Sequence, residues 1–200
     1  MINPRVGIVI LVVFALGGAG NWWLHRPIAR AAGVLVDDEP HQSEPSSREP
    51  ITHGDYQLTP LADYDIEARV LSREDYSIDA GSSLSPTDLA VGWKRMSDSA
   101  VIEQLDLSQS ARFLTYRWSI RPPIPQNEID RSAANMHVIP ADGTIARQLG
   151  KIRQGAIVRL RGQLVEAKRD DGFQWRSSLT RNDTGAGACE LFLVDSIEQL

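Results

Sequence analysis

The sequence predicts an α+β protein in which an N-terminal transmembrane helix precedes a small mixed sheet or small barrel with two to three short helices. Three observations support this fold class. Residues 6–24 form an uncharged apolar run, several later segments alternate apolar and polar side chains, and others repeat apolar residues at helical spacing. The predicted organisation is a transmembrane anchor at 1–26, a flexible linker at 27–50 and a single soluble α+β domain at 51–200.

The apolar run at 6–24 is typical of a membrane anchor. About 20 apolar residues cross a bilayer core as a helix, and Trp22 and Trp23 fall where the lipid headgroups begin. We therefore expect a signal-anchor with one span in the inner (cytoplasmic) membrane. The body is expected outside the cytoplasm, as a periplasmic domain of the bacterial envelope.

Two questions about the anchor stay open at the level of sequence. Residues 29–31 read Ala-Arg-Ala, a small-x-small pattern at which a signal peptide is cleaved. Arg5 lies on one side of the run while Arg26 and Arg30 lie on the other, so the charge rule does not decide the orientation. The following residues, 37–50, are rich in Pro, Ser and acids, which is typical of a flexible tether.

The first half of the body combines strands with helices. Alternation at 64–70 and again at 112–120 predicts two strands with one buried face each. Ser85 before Pro86 has the form of a helix start, and a shorter helix is expected at 98–105. The apolar face of the first helix would consist of Leu89, Trp93 and Met96.

The second half is predicted to supply the core strands. Pro-rich residues 121–125 form a stiff connector. A short strand is expected at 134–139, and a helix capped by Thr144 follows it. The remaining predicted strands are 156–168, its partner beyond the Asp171–Gly172 turn, and 189–194, which is apolar on both faces.

Two resemblances to known groups come from particular residues. The segment Ile-Arg-x-Gly-Ala-x-Val-x-Leu-x-Gly-x-Leu-Val at 152–165 resembles the opening strand of OB-type barrels, which implies an OB-like barrel in the last quarter of the chain. Separately, the blocks SLSPTDLAVGWKRMSD, NMHVIPAD and WRSSLTRNDTGAGACEL are similar to an uncharacterised family of small bacterial proteins with one N-terminal membrane span. That second resemblance implies no activity.

Several kinds of chemistry are disfavoured by what the sequence lacks. The single cysteine, Cys189, excludes an internal disulfide and a multi-cysteine zinc site. No Walker, dinucleotide-binding or G-x-S-x-G motif is present, so no cofactor and no metal are predicted. The net charge of −5 is too small to indicate a particular partner.

Polar residues on the paired strands are the best candidates for a ligand-binding site. Guanidinium rows on a sheet hold phosphate or carboxylate groups bidentately. The candidate residues are Arg159, Arg161, Gln163, Gln174 and Arg176. They predict a non-enzymatic, membrane-tethered binding or assembly module that presents a basic sheet face to an envelope protein or an anionic polymer. Nucleic acid is disfavoured, because Trp175 is in phase with Phe173 and is expected to face inward.

The alternative is a hydrolase. His137, with Asn135 on the same strand face, is a candidate general base near Ser108 or Ser110. Asp183 opens an Asp-Thr-Gly-Ala segment that resembles the catalytic motif of retropepsin-type aspartic proteases, and a homodimer would supply the second aspartate. A polar turn between strands is the simpler interpretation of that segment.

Overall fold

Strands dominate the computed structural model, which describes residues 26–180 and 189–200. They take up 46% of these residues, and helices take up 13%. The strands are β1 (His41–Ser43), β2 (Ile51–His53), β3 (Tyr56–Asp75), β4 (Thr87–Gly92), β5 (Asp106–Ser110), β6 (Phe113–Arg117), β7 (Ala133–Pro140), β8 (Ile157–Arg169), β9 (Gln174–Arg176) and β10 (Glu190–Gln199).

Five of these strands close into a barrel. Their order is β3-β4-β7-β10-β8, and β8 returns to pair with β3 along nearly its whole length. The pairing of β7 with β10 is parallel, whereas the other four are antiparallel. Closure leaves these strands without a free edge between them. The short strands β1 and β2 pair with β3, and β9 pairs with β8.

Alternating residues of all five barrel strands fill the interior. Tyr64 and Ile66 of β3, Val138 of β7 and Leu160 of β8 belong to one buried cluster with Phe192 of β10. These residues lie at every second position, because successive side chains of a strand point to opposite faces. The barrel interior is therefore the main hydrophobic core.

Two further buried clusters cover the outside of the barrel. One joins Leu58, Ile139 and Leu191, and the other joins Ala90 and Met96. The second is covered by the β5–β6 hairpin and by short helices. The helical elements are a 3-10 helix (Lys94–Ser97), α1 (Ser99–Ile102), α2 (Gln126–Ser132) and α3 (Gly143–Leu149).

The α+β class predicted from the sequence is wrong, because the described chain is mostly sheet. The helix predicted to start at Ser85 and Pro86 is instead β4, whose six residues are all buried. Leu89 lies in the barrel interior, whereas Met96 lies in the 3-10 helix that follows. A strand with two covered faces has apolar residues on both of them, so its spacing also fits a helix.

The described residues do not contain the transmembrane helix of that prediction either. No helix within the described ranges is long and apolar enough to cross a membrane. The predicted anchor at 6–24 lies entirely among residues 1–25, which are outside the described part of the chain. Its location at the inner membrane stays a prediction.

Residues 27–50, the predicted flexible linker, lie against the barrel. Val36 is 3% exposed and belongs to the interior cluster. Its amide donates to Oγ of Ser97, and the Ile28 amide donates to the Gln154 carbonyl. β1 adds a short antiparallel strand beside β3. This segment thus extends the sheet and the core.

The OB-type resemblance placed residues 152–165 in an opening strand. In the structure most of this segment belongs to β8, the fourth barrel strand in chain order. Gly162 of this strand has a special role. Gly162 has φ 152°, and a Cβ atom built there would lie 1.9 Å from the Leu193 carbonyl oxygen. β8 therefore approaches β10 as closely as only glycine permits.

Candidate functional site

The predicted basic residues of β8 lie on the outer face of the barrel and are already paired. Arg159 binds Asp65 through two hydrogen bonds of 2.9 and 2.6 Å. Arg161 binds the same carboxylate and Glu198, both at 3.2 Å. Gln163 donates to Asp63 over 2.9 Å. Each of these side chains therefore meets a carboxylate of a neighbouring strand.

The two predicted residues of β9 have a different partner. Gln174 donates to Oε1 of Glu166 over 2.8 Å, and Arg176 lies 3.4 Å from the same oxygen. They do not join the group around Asp65. The predicted set of five thus divides into two charge-compensated groups.

This pairing changes the electrostatics of the face. Hydrogen bonding from Arg159, followed in size by Arg161, lowers the pKa of Asp65 although burial opposes it. The hydrogen bond from Gln163 lowers the pKa of Asp63. Because these carboxylates stay ionised, they cancel the guanidinium charges. The face is mixed in charge, not basic.

A groove of about 600 Å³ opens beside these pairs, and we call it the charged groove. Residues of the 41–47 segment form one side, and β3, β8 and β10 form the other. Its charged and amide side chains include Asp63, Asp65, Arg161, Gln163 and Asp195. Its volume is in the range of sites that hold a small ligand or a short peptide.

Asp195 differs from the other charged side chains of the groove. No salt bridge or side-chain hydrogen bond links its carboxylate to a described residue, whereas Asp63, Asp65 and Arg161 are all paired. Its side chain is open to solvent, yet neighbouring atoms desolvate the carboxyl enough to raise its pKa, and the charge of Asp63 adds to this. The one acidic side chain of the groove without a salt bridge or side-chain hydrogen bond to a described residue is therefore Asp195.

A second group of polar residues lies on the outer face of β4 and β7, and we call it the buried polar cluster. It consists of Asp88, Arg112, Asn135 and His137. Asp88 is 0% exposed and accepts from Arg112 over 2.8 Å and from Asn135 over 3.3 Å. Asp88 and His137 are direct neighbours across the β4–β7 pair.

Arg112 enters this cluster from the tip of the β5–β6 hairpin. Its guanidinium also binds Asp79 through two hydrogen bonds and donates to the Ser85 carbonyl. The charge lies 3.7 Å from the ring centre of Tyr76. Burial lowers the pKa of Arg112, but the hydrogen bonds and charges of Asp79 and Asp88 together raise it. These ion pairs of Arg112 with Asp79 and Asp88 hold the tip of the β5–β6 hairpin against the barrel.

His137 is 3% exposed, and its ring centre lies 4.6 Å from that of Trp175. Its Nδ1 is 2.9 Å from Asp88, at an angle that makes no hydrogen bond. Asn135 shares its strand face, as the alternation indicates. Ser108 is not part of this site, since its hydroxyl contacts Thr115 on the hairpin over 2.7 Å. Asp183 lies outside the described residues.

Sequence reasoning missed Asp88 and Arg112. The helix start predicted at Ser85 and Pro86 places Asp88 in a first helical turn, and the strand predicted at 112–120 begins at Arg112. The one available signal was an acid inside the otherwise apolar run 87–93. Among residues 26–180 and 189–200, no three His, Cys, Asp or Glu side chains form a group that would hold a metal ion.

Comparison with known proteins adds no family assignment. No family model matches the chain, and no curated protein or solved structure is detectably similar to it.

Proposed function

We propose that this chain is a non-enzymatic binding module that accepts a basic segment of a partner protein in the charged groove. The observation that carries this proposal is the pairing pattern. Arg161 and Gln163 are occupied by Asp65, Glu198 and Asp63, while Asp195 forms no salt bridge or side-chain hydrogen bond with a described residue. A partner therefore gains most by bringing a cation.

The same pattern disfavours the anionic polymer that the sequence suggested as a partner. A polyanion would have to break the pairs of Arg159 and Arg161 and would approach Asp63 and Asp195. Like charges at such distances repel. A protein segment with lysine or arginine side chains meets neither obstacle.

Binding of short labelled peptides to the full chain tests this proposal. An oligolysine peptide should bind, and Asp195→Asn should weaken it about tenfold, since one charge-assisted hydrogen bond is lost. Asp170→Asn is the matched control, because Asp170 is an exposed acid outside the groove. Fluorescence anisotropy at fixed salt measures both. Preferential binding of oligoglutamate, abolished by replacing Arg159 and Arg161, would instead support the basic face.

Hydrolysis is a second candidate function, favoured by one observation. A carboxylate that accepts from Nδ1 orients a catalytic imidazole, and Asp88 lies 2.9 Å from Nδ1 of His137, although without that hydrogen bond. Within the described ranges, however, no hydroxyl is hydrogen-bonded to the ring. A screen with chromogenic esters, repeated with His137→Gln, tests it. Activity that is lost in the variant would support the hydrolase.

A further inference from the structure

A pocket lies at the open end of the β5–β6 hairpin, opposite the turn that contains Arg112. It shares no lining residue with the charged groove. Its volume is about 550 Å³, and we call it the hairpin pocket. Residues 103–106 form one wall, and Arg117, Trp118, Ser119 and Arg121 form the other. A second depression of about 440 Å³ shares Gln104 and Arg121 with it and is bounded by prolines 122, 123 and 125.

The charged side chains of the hairpin pocket are not paired with one another. Glu103, Asp106, Arg117 and Arg121 line it, and none of them has an ion pair with another described residue. This differs from β8, where Arg159 and Arg161 are bound to carboxylates. Two positive and two negative groups thus leave the pocket with no formal net charge and with free donors and acceptors of both kinds.

An aromatic wall completes the pocket. Trp118 is half-buried, and its ring stacks on Tyr116 with centroids 6.2 Å apart and planes 24° apart. This stacking fixes the indole, so little side-chain freedom is lost when a ligand binds. The neighbouring prolines have a fixed φ, and Ile124 between them is 4% exposed and anchored in the outer core. The pocket is therefore preorganised.

We propose that the hairpin pocket binds an uncharged oligosaccharide. Sugar hydroxyls both donate and accept, so they satisfy carboxylates and guanidinium groups at once without adding charge. The C–H face of a sugar ring is apolar and packs on an indole. A polyanion would satisfy the two arginines and be repelled by Glu103 and Asp106, so it fits the pocket less well.

Calorimetric titration of the full chain with maltohexaose, cellohexaose and chitohexaose tests the proposal. At least one should bind, with little dependence on salt, since the ligand carries no charge. Trp118→Ala should weaken binding about tenfold or more, as should Arg121→Gln, which removes a charged hydrogen-bond donor. Arg121 is exposed, so its replacement leaves the fold intact even where loss of Trp118 does not.

Two control variants test whether binding depends on this pocket in particular. Ile120→Ala changes an adjacent side chain that is 92% exposed and lies outside the pocket, and it should leave affinity unchanged. Asp195→Asn should also have no effect, so this proposal and that of the charged groove succeed or fail separately. Absence of binding by all three sugars, or salt-sensitive binding of polygalacturonate in their place, would overturn the proposal.

Discussion

Ala111 and Arg112 have backbone conformations that residues other than glycine rarely adopt, with φ angles of 49° and 71°. They are the two central residues of the β5–β6 turn, since Ser110 pairs with Phe113. Positive φ at both positions is the geometry of a type I′ hairpin turn, which normally takes Asn-Gly. Strain of this kind persists only where the surroundings impose it. Here the hydrogen bonds of Arg112 impose it.

Ala111→Gly should therefore stabilise the protein. Glycine adopts positive φ without the steric cost that alanine has there, so the free energy of unfolding should rise by about 1 kcal/mol. Urea unfolding followed by circular dichroism measures the change. Ala146→Gly, at an exposed position inside α3, is the matched control and should lower stability by a similar amount. A loss of stability in both variants would contradict the argument.

Arg112→Ala should be strongly destabilising, because it leaves the fully buried Asp88 carboxyl without its cation. Removing one partner of a buried pair costs about 3–5 kcal/mol. In a chain that already carries Asp88→Asn, the same change should cost clearly less. A double-mutant cycle by urea unfolding measures the difference. Equal costs in both backgrounds would show that Arg112 acts on stability without Asp88.

At the scale of elements, the local sequence pattern predicted the helix α3 correctly but predicted a helix where the strand β4 forms. α3 begins at Gly143, and Asp142, not the predicted Thr144, accepts from the amides of its first turn. Ile145 and Leu149 are the buried residues of this helix. β4 was misassigned because it is covered on both faces, and the apparent capping residues Ser85 and Pro86 lie in the connection just before it. Thr87, the first residue of β4, donates to Asp75 at the end of β3 over 2.6 Å.

Two glycines of the β8 region provide a test of barrel closure. Gly162→Ala should destabilise by more than about 3 kcal/mol, because its Cβ would overlap the Leu193 carbonyl and separate β8 from β10. Gly172→Ala is the control for backbone strain without a steric overlap. It also has positive φ, 91°, but no atom lies within 4 Å of its added Cβ. Its cost should be only the strain of about 1–2 kcal/mol. Thermal unfolding compares the two, and similar losses would contradict the role of close strand approach.

At the scale of the whole molecule, charge pairing ties stability to pH. Several carboxyl groups have a pKa held below the ordinary value by hydrogen bonds: Asp63, Asp65, Asp79, Glu128 and Glu166. A lowered pKa in the folded state means that the unfolded chain binds protons first. Their stabilisation is full above the ordinary values of 3.8 for Asp and 4.5 for Glu, and it is lost as pH falls through the folded values. Asp195 contributes to the pH dependence of stability in the opposite direction, because burial raises its pKa.

We expect the urea midpoint to fall between about pH 6 and about pH 3, and Asp65→Asn to reduce the fall. At neutral pH this variant should lose roughly 1 kcal/mol, a small value because Asp65 is partly exposed. The difference from the unmodified chain should vanish at low pH, where both side chains are neutral. Asp170→Asn serves as the control. A difference that persists at the lowest pH would assign the role of Asp65 to packing instead of charge.

The sequence by itself determined which side chains of several strands are buried, since alternation depends only on the chain's own geometry. Val158, Leu160 and Leu164 are buried as the period of two predicts, and the predicted turn at Asp171–Gly172 forms. The candidate residues of β8 do lie on the outer face. These features depend on neighbours a few residues apart.

Only the tertiary structure decided what those residues meet. Arg159 was expected to face a ligand, but the register of β3 with β8 places it beside Asp65, 94 residues away in the chain. Asp88 and Arg112 meet because a strained hairpin folds onto the barrel. Charge partners are set by strand register and barrel closure, and no local pattern encodes either. A row of arginines in the sequence therefore became a face of mixed charge, and the groove's acid without a salt bridge to a described residue is Asp195.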